Sequence, residues 1–418
     1  MRYPEIIRIG QRLDDTEIGD IDLAIKAEMQ GIDLPSRIKP GSRVALTAGS
    51  RGISDIVPII RAIATYIREI GAEPFVVPAM GSHGGATAEG QESMIAEFGI
   101  IEKDVGAPIV SSMEVDQIGV TPNGIPVMID HAANNAEHII VINRVKPHTE
   151  FHGEIESGLM KMMVIGLGKL QGAVTAHNYA VKYGYEQTLM EMGQCILANA
   201  PVLTGVGIIE NGFGKTAQIK ACTPERLIDT EKEMLRIARQ KCPKLPFDQM
   251  DILIVDEFGK EISGTGIDTK VIGRIMNIYE SELHHPKITR IIVRDLTGKT
   301  HGNALGIGLA DFITRRAADK IDYRSTYVNC LTAVTPEKAR LPIVCESDKE
   351  AIDFAIATAG PVAADNLRLV WIKNTSTLGE MAISQGLQDE ARQNEDVKLL
   401  GEMFELEFDA NGNLVSRI

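Results

Sequence analysis

Short aliphatic and β-branched runs, each passing directly into a loop of small and polar residues and then into a helical pattern, constrain this chain most. Arg43-Val44-Ala45-Leu46-Thr47 ends in Ala48-Gly49-Ser50-Arg51-Gly52. Pro74-Phe75-Val76-Val77 ends in Gly81-Ser82-His83-Gly84-Gly85, and His138-Ile139-Ile140-Val141-Ile142-Asn143 precedes Arg144-Val145-Lys146-Pro147-His148. Strands of this kind alternating with helices predict layered α/β architecture. In open α/β sheets ligands bind beyond the carboxyl ends of strands. Arg51, His83 and His148 are therefore expected to gather at one sheet edge.

Helix signals fill the intervals. Ser54 reads as the N-cap of a helix running to Ile70, with Gly71 as its stop, and Thr87 reads as a second cap. Asn123-Gly124 predicts a hairpin turn. After a charged helix from Thr223 to about Lys241, Cys242-Pro243-Lys244-Leu245-Pro246 reads as a linker. A new series then opens at Asp251–Val255, with further strands expected at Arg290–Val293, Ile343–Cys345 and Leu367–Ile372. A terminal hairpin is expected from Phe404 to Asn413. With 418 residues the chain has room for two cores. The expected organisation is two α/β domains, residues 1–246 and 247–418, with the active site in the cleft between them. The last hairpin is free to return to the first domain.

Composition removes several function classes. The formal net charge is −14 and aromatics make up 5% of residues, which disfavours nucleic acid and anionic lipid as partners. No run approaches the roughly 18 apolar residues of a membrane span, and Met1-Arg2-Tyr3-Pro4 carries no secretory pattern. Five widely spaced cysteines without a C-x-x-C pair read as reduced thiols. The expectation is a cytoplasmic enzyme of small molecules, with homo-oligomerisation left open.

Three of the nine histidines have suggestive settings. His83 lies among glycines that let a ligand approach the backbone. His148 follows Pro147 at a strand end, and His177 lies in a helical stretch after Gly172-Ala173. Their spacing matches no zinc signature. In Glu156-Ser157-Gly158-Leu159-Met160-Lys161-Met162-Met163, Lys161 reads either as a snorkelling surface lysine or as a desolvated amine suited to covalent attachment. Gly166-Leu167-Gly168-Lys169 has the look of a phosphate loop but lacks the Ser or Thr after the lysine.

Taken in order, Ser50-Arg51, Gly81-Ser82-His83, Pro147-His148, Ser157-Gly158-Leu159-Met160-Lys161 and His177 resemble the nickel-dependent lactate racemase family. The likeness covers about residues 40–180. It implies an isomerase, a racemase or epimerase of small 2-hydroxy acids that uses a nickel pincer nucleotide (nickel pyridinium-3,5-bisthiocarboxylic acid mononucleotide). By the same resemblance Lys161 would carry the cofactor covalently and His177 would ligate nickel. His83 and His148 would be the acid/base pair, with His152 a rival to His148. Arg51 would hold the substrate carboxylate. Lys260 is the candidate substrate contact in the second domain, ahead of Lys270 and Arg274. Two other classes remain open on the residues alone: a metal-dependent hydrolase or lyase using His83, His148 and His177, and a non-catalytic carboxylate sensor.

Overall fold

The computed structural model describes residues 2–415. The chain forms two compact units. One comprises Asp14–His148 and His152–Cys242, the other Met1–Leu13, Thr149–Phe151 and Pro243–Ile418. The first strand, β1 (Ile6–Gln11), thus belongs with the C-terminal half of the chain.

The unit from Asp14 to Cys242 is built on a five-stranded sheet. Its members are β2 (Arg43–Ala48), β3 (Glu73–Pro78), β6 (His138–Arg144), β7 (Val202–Glu210) and β8 (Thr216–Cys222). A separate hairpin pairs β4 (Val115–Val120) with β5 (Pro126–Asp130), turning through Asn123-Gly124 with Gly124 at φ +79°. The order in the sheet is β3-β2-β6-β7-β8, parallel through β7 and antiparallel at β8. Because β3, β2 and β6 are parallel neighbours, the loops carrying His83, Arg51 and His148 leave the same edge.

Burial on both faces explains the unbroken aliphatic runs, since a parallel sheet covered by helices has no polar face to offer. Val44, Leu46, Val76, Ile140 and Ile142 share one core with Ile59, Ile60, Ile63 and Ile67 of the Ile56–Glu69 helix. That helix starts two residues after Ser54. Ser54 does not cap it: its backbone N–H donates to Glu210 and its hydroxyl to Asp55. Thr87 does cap the Ala88–Glu97 helix, its Oγ1 accepting from Gly90 N–H at 3.0 Å.

The other unit holds an eight-stranded mixed sheet. Its strands are β9 (Gln249–Phe258), β10 (Lys287–Leu296), β11 (Phe312–Thr314), β12 (Ile343–Cys345), β13 (Leu369–Ile372), β14 (Glu380–Ser384) and β15 (Val397–Phe404), joined by β1. The order is β12-β11-β10-β9-β13-β14-β1-β15, and β1 lies antiparallel to both neighbours, pairing Ile6 with Ser384 and with Phe404. Ile7 and Ile9 join one buried cluster and Ile6 another. The expected terminal strand lies earlier than Phe404–Phe408, as β15, and the chain then turns through Asp409–Asn413 into a single bridge between Phe408 and Leu414. Among the described residues no helix is long and apolar enough to cross a membrane.

Candidate active site

Lys161 ends a single helical turn, Leu159–Lys161, that leads into a π turn over Met162–Gly166. The wider loop closes with Leu167 N–H on Met162 C=O at 2.9 Å. Such π turns concentrate at functional sites. Small residues let this segment press against the sheet edge. A Cβ on Gly166 would come within 2.8 Å of the Ala79 carbonyl, and one on Gly49 within 3.0 Å of Met162 Cε. Met160, Met162 and Met163 are buried while Lys161 stays partly exposed, so the methionines fill the core and the amine points away from it.

Two buried carboxylates, invisible as site residues in the sequence, hold this region. Glu231 is wholly buried and accepts the Met160 N–H at 2.8 Å, taking up an orphan donor at the start of the Lys161 turn. Burial pushes its pKa up to about 8, against the lowering effect of the Met160 and Leu159 N–H groups. A side chain at Gly158 would meet Glu231 Oε1 at 2.2 Å, which explains the glycine. Asn143 holds the same turn from the sheet, donating to the Gly158 carbonyl at 2.7 Å. The second carboxylate, Glu156, is also wholly buried. It accepts the His148 backbone N–H and that of Gly153, and pairs with Arg239 at 2.6 Å.

The histidines separate by setting. His148 Nε2 is hydrogen-bonded to Lys161 Nζ. His152, its rival, is exposed and sits on Glu156 through Nδ1 at 3.1 Å. His177, on the Lys169–Tyr183 helix, bonds through Nδ1 to the Tyr185 hydroxyl at 3.1 Å, and the two rings meet edge-on with centroids 5.7 Å apart. Desolvation, then the charges of Lys161 and His83, bring the His177 pKa down to about 4, so the imidazole is neutral at ordinary pH. Those same charges put Lys161 and His83 in its electrostatic neighbourhood. His83 Nδ1 lies 2.9 Å from the Met80 carbonyl, which accepts its N–H.

The His83 loop is fixed from below. Gly81, Gly84, Gly85 and Ala86 all have positive φ, and Gln91, buried in the following helix, donates to the Gly81 carbonyl at 2.9 Å. Lys169 bonds to Gln91 Oε1 at 3.2 Å and pairs with Asp130 at 3.1 Å, with both members of that pair wholly buried. Burial pushes the Asp130 carboxyl up and the Lys169 amine down, and their mutual attraction opposes both shifts. Lys169 is thus an interior strut, and Gly166–Lys169 is not a phosphate loop.

Desolvation and the like charge of Arg144 hold the Arg51 guanidinium below its ordinary pKa. Arg144 is itself ion-paired to Glu210. In the other unit Lys260 Nζ donates to Asn329 Oδ1 at 2.7 Å, and Lys270 Nζ to the Phe151 carbonyl at 2.8 Å. Arg274 spends its guanidinium on the Leu309 and Ile288 carbonyls and on Asp311. Among the described residues, no three His, Cys, Asp or Glu side chains come together as a ligand set for an ion.

Residues 11–188 match the lactate racemase N-terminal domain. Over this segment the chain is similar to the lactate racemase family. The match takes in Arg51, His83, His148, Lys161 and His177. No curated protein matches the chain in sequence. Among solved structures it is similar to the lactate racemase apoprotein from Thermoanaerobacterium thermosaccharolyticum, at 13% identity and a TM-score of 0.51. That alignment covers 85% of this chain and 96% of the other, and at such identity it speaks for the fold. Tyr185 and Glu156 within the matched segment, and Arg239 and Glu231 beyond it, are the residues that sequence reasoning passed over. Glu156, Arg239 and Glu231 owe their places to partners distant in the chain.

Proposed function

We propose that the protein is a racemase or epimerase of a small 2-hydroxy acid that works with a nickel pincer nucleotide. The observation carrying this reading is the cluster of Lys161, His148, His177 and Tyr185, with the Lys161 amine on His148 and the His177 imidazole held neutral.

The residues suit that group. A neutral imidazole is a proper ligand for a metal such as nickel. One imidazole beside a lysine, without a complete donor set among the described residues, fits a metal that arrives with most of its donors already attached. His177 would ligate the metal, and Lys161 would anchor the group covalently as an amine nucleophile. When bound, the group supplies a hydride acceptor for the substrate's Cα hydrogen.

The protein's own part is placement and proton handling. A bidentate guanidinium matches a carboxylate, and Arg51 is the residue for it. His83, with Nδ1–H on Met80 C=O, carries its lone pair on Nε2 and can take the proton of the substrate hydroxyl. His148 is the second acid/base residue, its backbone pinned by Glu156. Two histidines on different loops serve the two enantiomers.

The test is twofold. Protein from its native host should carry an intact-mass adduct mapping to Lys161, together with nickel. It should also interconvert the enantiomers of a 2-hydroxy acid on a chiral column. An unmodified Lys161 in protein that racemises would overturn the cofactor assignment.

A further inference from the structure

Tyr185 touches both imidazoles of the cluster. Its hydroxyl lies 3.1 Å from His177 Nδ1, and its ring centroid lies 5.7 Å from that of His177 and 6.4 Å from that of His148. The ring is only 3% exposed, so these neighbours fix it. Gly184, at φ +79° and ψ +157°, breaks the Lys169–Tyr183 helix from the Tyr185–Asn199 helix. That conformation is open to glycine and strained for other residues. It brings the first residue of the second helix back against His177. The next residue, Glu186, accepts backbone N–H groups of Glu154 and Ile155, so the same helix start also braces the loop that follows His152.

We propose that Tyr185 is a positioning residue that selects the tautomer of His177, its hydroxyl accepting the Nδ1–H so that Nε2 carries the lone pair offered to the metal. The inference rests on the function proposed above. An imidazole has two nitrogens, and the partner of one decides which is left to ligate. An imidazole that ligates a metal is neutral, so the choice lies between two tautomers. A hydroxyl 3.1 Å from Nδ1, on a ring that cannot swing away, occupies that nitrogen and leaves Nε2 as the one to ligate, which requires the proton on Nδ1 with the hydroxyl as its acceptor.

The test uses full-length protein with Tyr185→Phe, which keeps the ring and removes only the hydroxyl. In protein free of cofactor, ¹⁵N-histidine NMR should show His177 of the unsubstituted protein with Nδ1 protonated and Nε2 not. Tyr185→Phe should shift that pattern toward a mixture. A protonated Nε2 in the unsubstituted protein, or unchanged His177 shifts in the variant, would overturn the proposal. In loaded protein the Lys161 adduct should persist in Tyr185→Phe, while metal retention against a chelator falls about 10- to 100-fold, the scale of an outer-shell partner. Equal retention would also overturn it. Absence of any adduct in unsubstituted protein would instead count against the pincer cofactor and leave the NMR result to decide the tautomer.

Discussion

The Lys161 amine and the His148 imidazole are hydrogen-bonded to each other, one from the end of a helical turn and the other from the loop after β6. The contact joins the residue proposed for attachment to one proposed for proton transfer. Lys161→Ala and Lys161→Arg should both abolish the adduct and racemisation, because a guanidinium is a very poor nucleophile. Intact mass and circular dichroism, read together, separate loss of attachment from loss of fold. An adduct surviving in Lys161→Ala would refute the assignment.

His83→Ala and His148→Ala should each slow turnover by on the order of 10²–10⁴, the scale of a positioned acid or base. Both directions should suffer, since in the proposed reaction each histidine is the base for one enantiomer and the acid for the other. His152→Ala should change turnover little. Steady-state rates from each pure enantiomer check this, and a large loss confined to His152→Ala would transfer the role to it.

Arg51→Lys keeps the charge and loses the fork. The expected result is a rise in KM of roughly 10-fold or more, corresponding to about 1.4 kcal/mol, with a smaller change in kcat. An unchanged KM would remove Arg51 from carboxylate binding.

The Asp130–Lys169 pair under the His83 loop makes a prediction independent of the reaction. Lys169→Met leaves a buried carboxylate without its counter-charge and should cost about 3–5 kcal/mol in denaturant unfolding. Asp130→Asn combined with Lys169→Met should recover part of that loss. Additive losses in the double variant would show that the pair is not coupled.

Glu231 gives the chain a pH dependence of definite sign. Its folded pKa, about 8, is above the unfolded carboxyl value, so the native state binds the extra proton between roughly pH 4.5 and 8. Stability from this group is therefore full below that window and declines as pH rises through it. Glu231→Gln keeps an oxygen for the Met160 N–H and should flatten the fall in melting temperature between pH 5 and 8. A slope unchanged by the substitution would place its origin elsewhere.

The sheet edge was legible because aliphatic runs such as His138–Asn143 have few alternatives to a buried strand, and the loop residues follow directly. Lys161 was legible as an unusual lysine among methionines. The π turn after it was not, since an i→i+5 closure has no local signature. Nothing in the sequence marks Glu156 and Glu231 as site residues; their roles come from Arg239, 83 residues away in the first case, and from Met160, 71 residues away in the second. The missing Ser or Thr already told against a phosphate loop at Lys169, but the role it does have was hidden for the same reason. A lysine after glycines looks like a phosphate ligand until Asp130 is seen beside it.

The pairing of β1 with β14 and β15 has a consequence during synthesis. Ile6 must wait for Ser384 and Phe404 to leave the ribosome before either edge of its strand is covered. At about 5–20 residues per second that interval is tens of seconds. During it the unit from Asp14 to Cys242 can fold, whereas β1 carries Ile6, Ile7 and Ile9 uncovered. The nascent chain thus trails an adhesive strand ahead of a finished domain, and the danger passes only when β15 has emerged.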